Sequence, residues 1–409
     1  MADGVTAVRQ RHVLDPRGWP WWLQVLMIYL ASRVVSTAIL LWFATHQGPN
    51  AWTGAAPAYQ DFAMLWDAHW YRIIAAVGYP SELPITDTGH VGESAWAFMP
   101  LYPWLVEGIA LVTWQPYEVV AIAVSVLAGL GAALLAHRMY LAAGLRHGQA
   151  LGGVALLVFG PVSPLFQLGY AEALHLFLLT AALLLLLRRR YLALLPLVVL
   201  MAFTRPSALP FALALGILLV IRVVRARRGV EALPRSEVLA IVLAGAVSVV
   251  AGFAWLLIAW AVTGSPSAYL DTENAWRSAY LGPEPLLPLT GWLRGATWWA
   301  EWSGVPGWLG LLVLAAVVVL VTAAFATPWA RRLGTVLRVW VAAWLLYLLA
   351  VFFPQSSTWR LLLPAYPAGA ALAVGPRWVL CLALVGGVAA QWWWVDGMWA
   401  VGGYDWSPP

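Results

Sequence analysis

The sequence predicts an all-α polytopic membrane protein, and three observations predict it. Of 409 residues, 62% are hydrophobic and 10% charged, with a mean hydropathy of +0.79, where soluble domains carry roughly 25% charge. The apolar residues gather into runs near the ~20 residues that a helix needs to cross a bilayer. The basic residues concentrate in alternate connections between those runs, as the positive-inside rule requires. No separate soluble domain is visible, so residues 1–409 read as one integral membrane unit.

Taken in order, apolar runs lie near 20–45, 117–137, 149–167, 170–187, 190–204, 206–224, 237–262, 306–327, 336–353, 357–374 and 377–395, which predicts about eleven transmembrane helices. Arg9, Arg11 and Arg17 precede the first run, and Arg138 and Arg146 follow the second. Arg188 to Arg190, the group Arg222, Arg225, Arg227, Arg228 and Arg235, then Arg331, Arg332, Arg338 and Arg377 complete a set of 17 of the 23 arginines on one side. That side is the cytoplasm, with the N-terminus in it. The segment from Phe98 to Trp114 is apolar enough to be counted as a further span, but crossing there would move Arg138, Arg146 and the triple arginine outside. Its prolines suit a helix start and Glu107 is costly at mid-bilayer, so it reads as an interfacial helix. The chain then divides into a cytoplasmic N-terminus (1–19), a first outer loop with interfacial helices (46–116), a transmembrane core (117–262), a second outer loop (263–305), C-terminal helices (306–395) and an outer tail (396–409).

The composition also excludes several chemistries. All 23 basic residues are arginine, and P-loop and Schiff-base mechanisms both need a lysine. The single cysteine, Cys381, lies in an apolar run, so neither an intrachain disulfide nor a thiolate metal cluster is expected. The net charge of +5 sits in the cytoplasmic connections, which points to membrane topology and not to nucleic acid.

The outer side gathers 14 of the 18 acids, among them Asp61, Asp67, Glu93, Glu172, Asp271 and Glu301. Both outer loops are rich in tryptophan: Trp52, Trp66, Trp70 and Trp96 in the first, Trp276, Trp292, Trp298, Trp299 and Trp302 in the second. These indoles either form the aromatic belt of the interface or stack on sugar rings and cover a lipid tail. Asp67, in Trp66-Asp67-Ala68-His69-Trp70-Tyr71, opens a short amphipathic helix ending at Gly78, so it either caps that helix or carries chemistry. Glu172, after Gly169-Tyr170-Ala171, stands at a helix start with the same two readings. Arg205, in Thr204-Arg205-Pro206, and Arg360, in Ser356-Ser357-Thr358-Trp359-Arg360, sit at outer ends against the charge rule, which points to an anionic partner. Arg33 lies in the middle of the first run and must meet a carboxylate, helix-end carbonyls or a lipid phosphate.

These residues resemble a family. Trp66-Asp67-Ala68-His69-Trp70-Tyr71, Ile74-Ala75 with Gly78-Tyr79, and Phe98-Met99-Pro100-Leu101-Tyr102-Pro103 are similar to the signature of the PIG-V mannosyltransferases, as are Tyr170-Ala171-Glu172, Thr204-Arg205-Pro206 and Ser32-Arg33. The likeness covers most of residues 25–215, with a weaker echo from Trp359-Arg360 to Pro367. Ala171, Met99 and Ser207-Ala208 depart from the usual residues, and none of the departures removes a titratable group.

The resemblance implies the GT-C fold, with juxtamembrane helices in the first outer loop. It implies a multi-pass protein of the bacterial inner or plasma membrane with an extracytoplasmic site. The donor would be polyprenyl-phosphate mannose and the acceptor a hydroxyl of a glycolipid or glycan. Asp67 matches the family's acid and would act as general base in an inverting transfer. Arg360 or Arg205 would hold the phosphate, with Glu172 and His69 as orienting groups and Tyr71, Tyr102, Trp359 and Arg33 completing the substrate-binding set. A transferase using another polyprenyl-phosphate sugar, or a transporter of lipid-linked sugars, is the alternative. A transporter usually shows repeated halves and midplane ionisable groups, where this chain has only Arg33. Asp61, Asp67, His69 and Glu93 match no metal-ligand spacing, and no metal or other cofactor is expected.

Overall fold

The computed structural model describes residues 18–282 and 286–402. The arginines before residue 18, Glu284 and the end at Tyr404-Asp405-Trp406 lie outside the described residues. Those described fold into helices joined by loops, with one isolated bridge between Ile85 and Val91.

The first half comprises α1 (Trp21–His46), α2 (Tyr59–Phe62), α3 (Asp67–Val77), α4 (Leu101–Thr113), α5 (Tyr117–Ala142), α6 (His147–Val158), α7 (Glu172–Leu187), α8 (Tyr191–Ala202) and α9 (Ala208–Arg227). It continues with α10 (Arg235–Thr263), α11 (Ala268–Leu281), α12 (Gly291–Trp302), α13 (Gly307–Ala326), α14 (Pro328–Arg331), α15 (Gly334–Val351), α16 (Thr358–Leu361) and α17 (Arg377–Trp394). Among the described residues, seven helices are long and apolar enough to cross a membrane: α1, α5, α9, α10, α13, α15 and α17 with its π-turn. This is the architecture of a multi-pass membrane protein. α4, at 13 residues, and α6 and α8, at 12 each, are all shorter than the ~20 residues an α-helix needs to cross a hydrocarbon core of ~30 Å.

Four of the eleven apolar runs do not form one long α-helix each. The run at 149–167 gives only the 12-residue α6, followed by a break and a 3-10 turn at Ser163–Gln167. Gly160 and Pro161 stop the helix, since proline has no N–H to continue the ladder. The runs at 170–187 and 190–204 give the 16-residue α7 and the 12-residue α8. The run at 357–374 becomes the single turn α16 and then a 12-residue 3-10 helix, Leu363–Val374, containing Pro364 and Pro367. A 3-10 helix rises about 2.0 Å per residue, so it covers in 12 residues what an α-helix needs 16 for. It packs on α6, where Gly152 and Gly153 allow the approach: a Cβ on Gly153 would stand 2.8 Å from the Tyr140 ring and 2.9 Å from the Ala370 Cβ.

Arg33 satisfies the backbone at the break after α6. From α1 its guanidinium donates to the carbonyls of Val158 at 3.3 Å and Ser163 at 2.9 Å and to Gln167 Oε1 at 3.1 Å, and it also bonds Ser163 Oγ. Among the sequence's three alternatives the helix-end carbonyls are the partners, and no carboxylate among the described residues pairs with Arg33. It thereby holds the turn that leads to Tyr170 and Glu172. Arg33→Met is therefore expected to take the guanidinium from the buried Ser163 carbonyl and Gln167 Oε1, while the Val158 carbonyl keeps the Ser163 hydroxyl, at a cost of about 1–3 kcal/mol, seen as a lower unfolding temperature in detergent.

The connections 47–116 and 264–306 close over one end of the bundle, the tryptophan-rich end. Trp96 packs with Tyr79 and Trp255, whose indole N–H donates to the Trp96 carbonyl at 3.0 Å. Trp276 of α11 meets Trp70 and Phe98 edge-on. Within the expected outer tail, a π-turn at Val395–Trp399 buries Trp399, and Gln47 exchanges hydrogen bonds with Val401 at 2.6 and 2.9 Å. At the opposite end Arg222 pairs with Glu237, and Arg189 with Glu231 at 3.3 Å.

Candidate active site

Asp67 is the first residue of α3, and the backbone before it is unusual. Trp66 has φ 59° and ψ −124°, the geometry of the second position of a type II′ turn, which normally takes glycine. The Ala68 N–H closes the turn on the Leu65 carbonyl at 3.3 Å. Such a conformation costs a bulky residue about 1–3 kcal/mol and persists only where surroundings impose it. Here they do: the Trp66 indole donates to the Trp399 carbonyl at 2.8 Å and meets Trp52 at 4.9 Å, while the Trp399 indole donates to the Phe62 carbonyl at 3.0 Å. The turn aims Asp67 into the bundle.

The capping reading of Asp67 and Glu172 does not hold. No side chain caps α3 or α7, and both carboxylates face arginines instead. Arg360 clamps Asp67 through both nitrogens, Nη1 on Oδ2 and Nη2 to Oδ1 at 3.4 Å. Arg205 bonds Glu172 Oε1, and its Nη1 lies 3.8 Å from Asp67 Oδ2. Arg360 Nη1 also reaches Glu172 Oε1 at 3.4 Å. Four residues far apart in sequence thus form one alternating cluster. Asp67 and Glu172 are 7% and 4% exposed, and the side chains of Arg205 and Arg360 are 14% and 11% exposed. Charges so enclosed are tolerable only when paired, and with both acids ionised the cluster sums to zero.

The fold holds each member from behind. The Tyr170 hydroxyl accepts the Asp67 N–H at 3.1 Å, and the Arg360 guanidinium lies over the Tyr170 ring at 5.6 Å. The Trp344 indole donates to the Leu361 carbonyl at 2.8 Å, fixing the chain beside Arg360. Tyr71 is buried against Tyr102 and Tyr170, and burial pushes its phenol well above the usual range. Tyr102 turns its hydroxyl away, donating to the Ala121 carbonyl at 3.1 Å, beside Ser125, which bonds the Tyr170 carbonyl at 3.2 Å. Glu172 Oε2, Arg360 Nε and His175 Nε2 are buried without a hydrogen-bond partner among the described residues. The cluster therefore has unused acceptor and donor capacity.

Of the residues singled out by sequence, Asp67, Glu172, Arg205 and Arg360 converge, with Tyr71 beside them. Trp359 is 42% exposed and rests edge-on against Trp393. His69 does not join the cluster. Two residues on from Asp67 it points about 200° around the helix, into a cavity with Asp61, Arg72 and Glu118. The expectation that it orients groups at Asp67 is corrected accordingly. Among the described residues no three of His, Cys, Asp and Glu stand close enough to share an ion. Sequence reading missed Trp399, His175 and the supporting role of Tyr170. His175 follows Glu172 by three residues, a same-face spacing on a helix; Trp399 had only its place in a tryptophan-dense ending as a signal.

No protein-family model matches the chain, and no curated protein matches it in sequence.

Proposed function

We propose that this chain is a membrane glycosyltransferase of the PIG-V-like, GT-C kind. It moves mannose from polyprenyl-phosphate mannose to a hydroxyl of a glycolipid or glycan. The observation that carries the reading is the alternating cluster of Asp67, Arg360, Glu172 and Arg205, enclosed at one end of a membrane bundle. In this reading eleven segments traverse the membrane, the short ones shielded by their neighbours. The N-terminus is cytoplasmic and the cluster lies at the extracytoplasmic boundary.

The chemistry follows from charge. The donor is a phosphodiester with one negative charge, and the departing polyprenyl phosphate is a monoester that carries up to two. The acceptor oxygen attacks the anomeric carbon from the face opposite the phosphate, the C–O bond to phosphate breaks, and the configuration inverts. Asp67 takes the acceptor's proton, a contribution of about 10²- to 10⁴-fold. Asp67 loses a negative charge while the phosphate gains one, so the net charge of the enclosed site is unchanged. Arg360 is the group suited to follow that charge, because it already clamps Asp67 and its Nε is unengaged. Guanidinium favours such two-pronged contact with carboxylate and phosphate alike. Arg205 bonds Glu172 Oε1, leaving Glu172 Oε2 to accept a sugar hydroxyl.

Purified protein incubated with labelled polyprenyl-phosphate mannose and a panel of membrane glycolipids tests the reading. A new labelled glycoside supports it. Movement of intact donor across the bilayer without glycoside formation identifies a transporter instead, and activity only with another polyprenyl-phosphate sugar revises the donor.

A further inference from the structure

The face of α3 opposite Asp67 borders a separate cavity of about 330 Å³. Its walls come from the loop at Trp52 to Pro57, from Asp61, from Met64 and Leu65, from His69 and Arg72, and from Glu118 at the start of α5. Arg72 and Glu118 meet across it at 2.6 Å. Small-molecule sites span roughly 300–1,000 Å³, so this one has room for one or two sugar rings and not for a folded partner.

The lining selects among occupants. Two carboxylates face one guanidinium, and burial and Arg72 lower the His69 pKa from 6.5, so the cavity carries surplus negative charge at neutral pH and disfavours an anion. Asp61, His69, Arg72, Glu118 and Thr53 are too polar a set for a lipid tail. Carboxylates and imidazole grouped beside one indole match a neutral polyhydroxylated ring, which presents many hydroxyls on its edge and C–H bonds on its face. Trp52 links the cavity to the cluster, since its ring meets Trp66, whose strained backbone aims Asp67.

We infer that this cavity is a saccharide subsite, which seats a neutral sugar unit of the acceptor while the reacting hydroxyl is presented to Asp67. Asp61 and Glu118 accept its hydroxyls, Arg72 and His69 orient it, and Trp52 covers its apolar face. The inference rests on the transferase reading for the word acceptor. Saccharide binding itself requires no transfer.

Saturation-transfer NMR on the full chain in detergent tests it, with methyl α-mannopyranoside and methyl α-glucopyranoside as probes and dimethyl phosphate as the anionic control. The two glycosides are expected to receive saturation that the subsite variants diminish, while dimethyl phosphate, which Arg360 of the cluster can take as it takes the donor phosphate, is expected to receive the same saturation in wild type and variants. Asp61→Asn and Glu118→Gln, lying outside the cluster, should each weaken glycoside binding roughly tenfold or more, the loss of a charge-assisted hydrogen bond. Each should raise the KM for the glycolipid acceptor by a similar factor, with kcat and the donor KM unchanged. Glycoside binding equal to wild type in both variants, or a change in dimethyl phosphate binding that matches the change in glycoside binding, overturns the inference. If the glycosides bind as expected while no sugar is ever transferred, the transferase reading falls and the saccharide site stands.

Discussion

Asp67→Asn is expected to lower transfer by about 10²- to 10⁴-fold while binding polyprenyl phosphate at least as tightly as the wild type does. The two effects run in opposite directions for one reason. Both Asp67 oxygens are engaged by Arg360, so in the proposed reaction the phosphate competes with the base for the same guanidinium. Asparagine is nearly isosteric, keeps the N–H bond from α3 to the Tyr170 hydroxyl, and removes the competing charge. It also cannot take the acceptor's proton. Turnover with labelled donor and affinity for short-chain polyprenyl phosphate, measured on the same preparation, check both halves. A variant that transfers as fast as wild type would remove Asp67 as base. One that loses turnover and phosphate binding together would mark Asp67 as a structural member of the cluster.

Much of this site is legible in the sequence, but as a collection of anomalies and not as a site. Arg205 and Arg360 stood out because they break a charge rule that 17 other arginines obey, and both required an anion. What no spacing could show is that the anions include Asp67 and Glu172, because the four residues meet only through packing of segments up to 293 positions apart. Asp67 was ambiguous for a related reason. A carboxylate at the start of a helix caps it by default, and the turn that points this one elsewhere uses a glycine-like conformation at Trp66, which the residue type conceals. His69 is different, since its two-residue offset from Asp67 already placed it on another face of the helix.

Helix lengths show the limit of hydropathy. The runs at 149–167 and 357–374 are continuous in apolar character, but Gly160-Pro161 and Pro364 with Pro367 decide how the backbone is hydrogen-bonded within them. A non-helical backbone is tolerated at membrane depth only where other protein groups satisfy it. Arg33 does that for the first run, and the indoles of Trp340 and Trp344 do it for the second, donating to the carbonyls of Pro364 at 2.9 Å and Leu361 at 2.8 Å. These irregular segments flank the cluster: one ends at Tyr170 and Glu172, the other begins at Arg360.

Arg360→Ala is expected to have the largest effect on stability as well as on donor use. It removes the two-pronged partner of Asp67, leaving that carboxylate with Arg205 at 3.8 Å. Deleting one member of an enclosed ion pair costs about 3–5 kcal/mol, because the remaining charge keeps its desolvation penalty without its partner. The unfolding temperature should therefore fall, and the donor KM should rise more than the acceptor KM as the phosphate loses its guanidinium. Stability and function separate in the double variant. Combining Arg360→Ala with Asp67→Asn removes the stranded charge, so the unfolding temperature should recover part of what Arg360→Ala alone lost, a non-additivity expected of directly coupled residues. Donor use should not recover, since the phosphate still lacks its partner. Additive losses in unfolding temperature would mean that Asp67 and Arg360 are not energetically paired, and a donor KM unchanged in Arg360→Ala would remove Arg360 from the phosphate site.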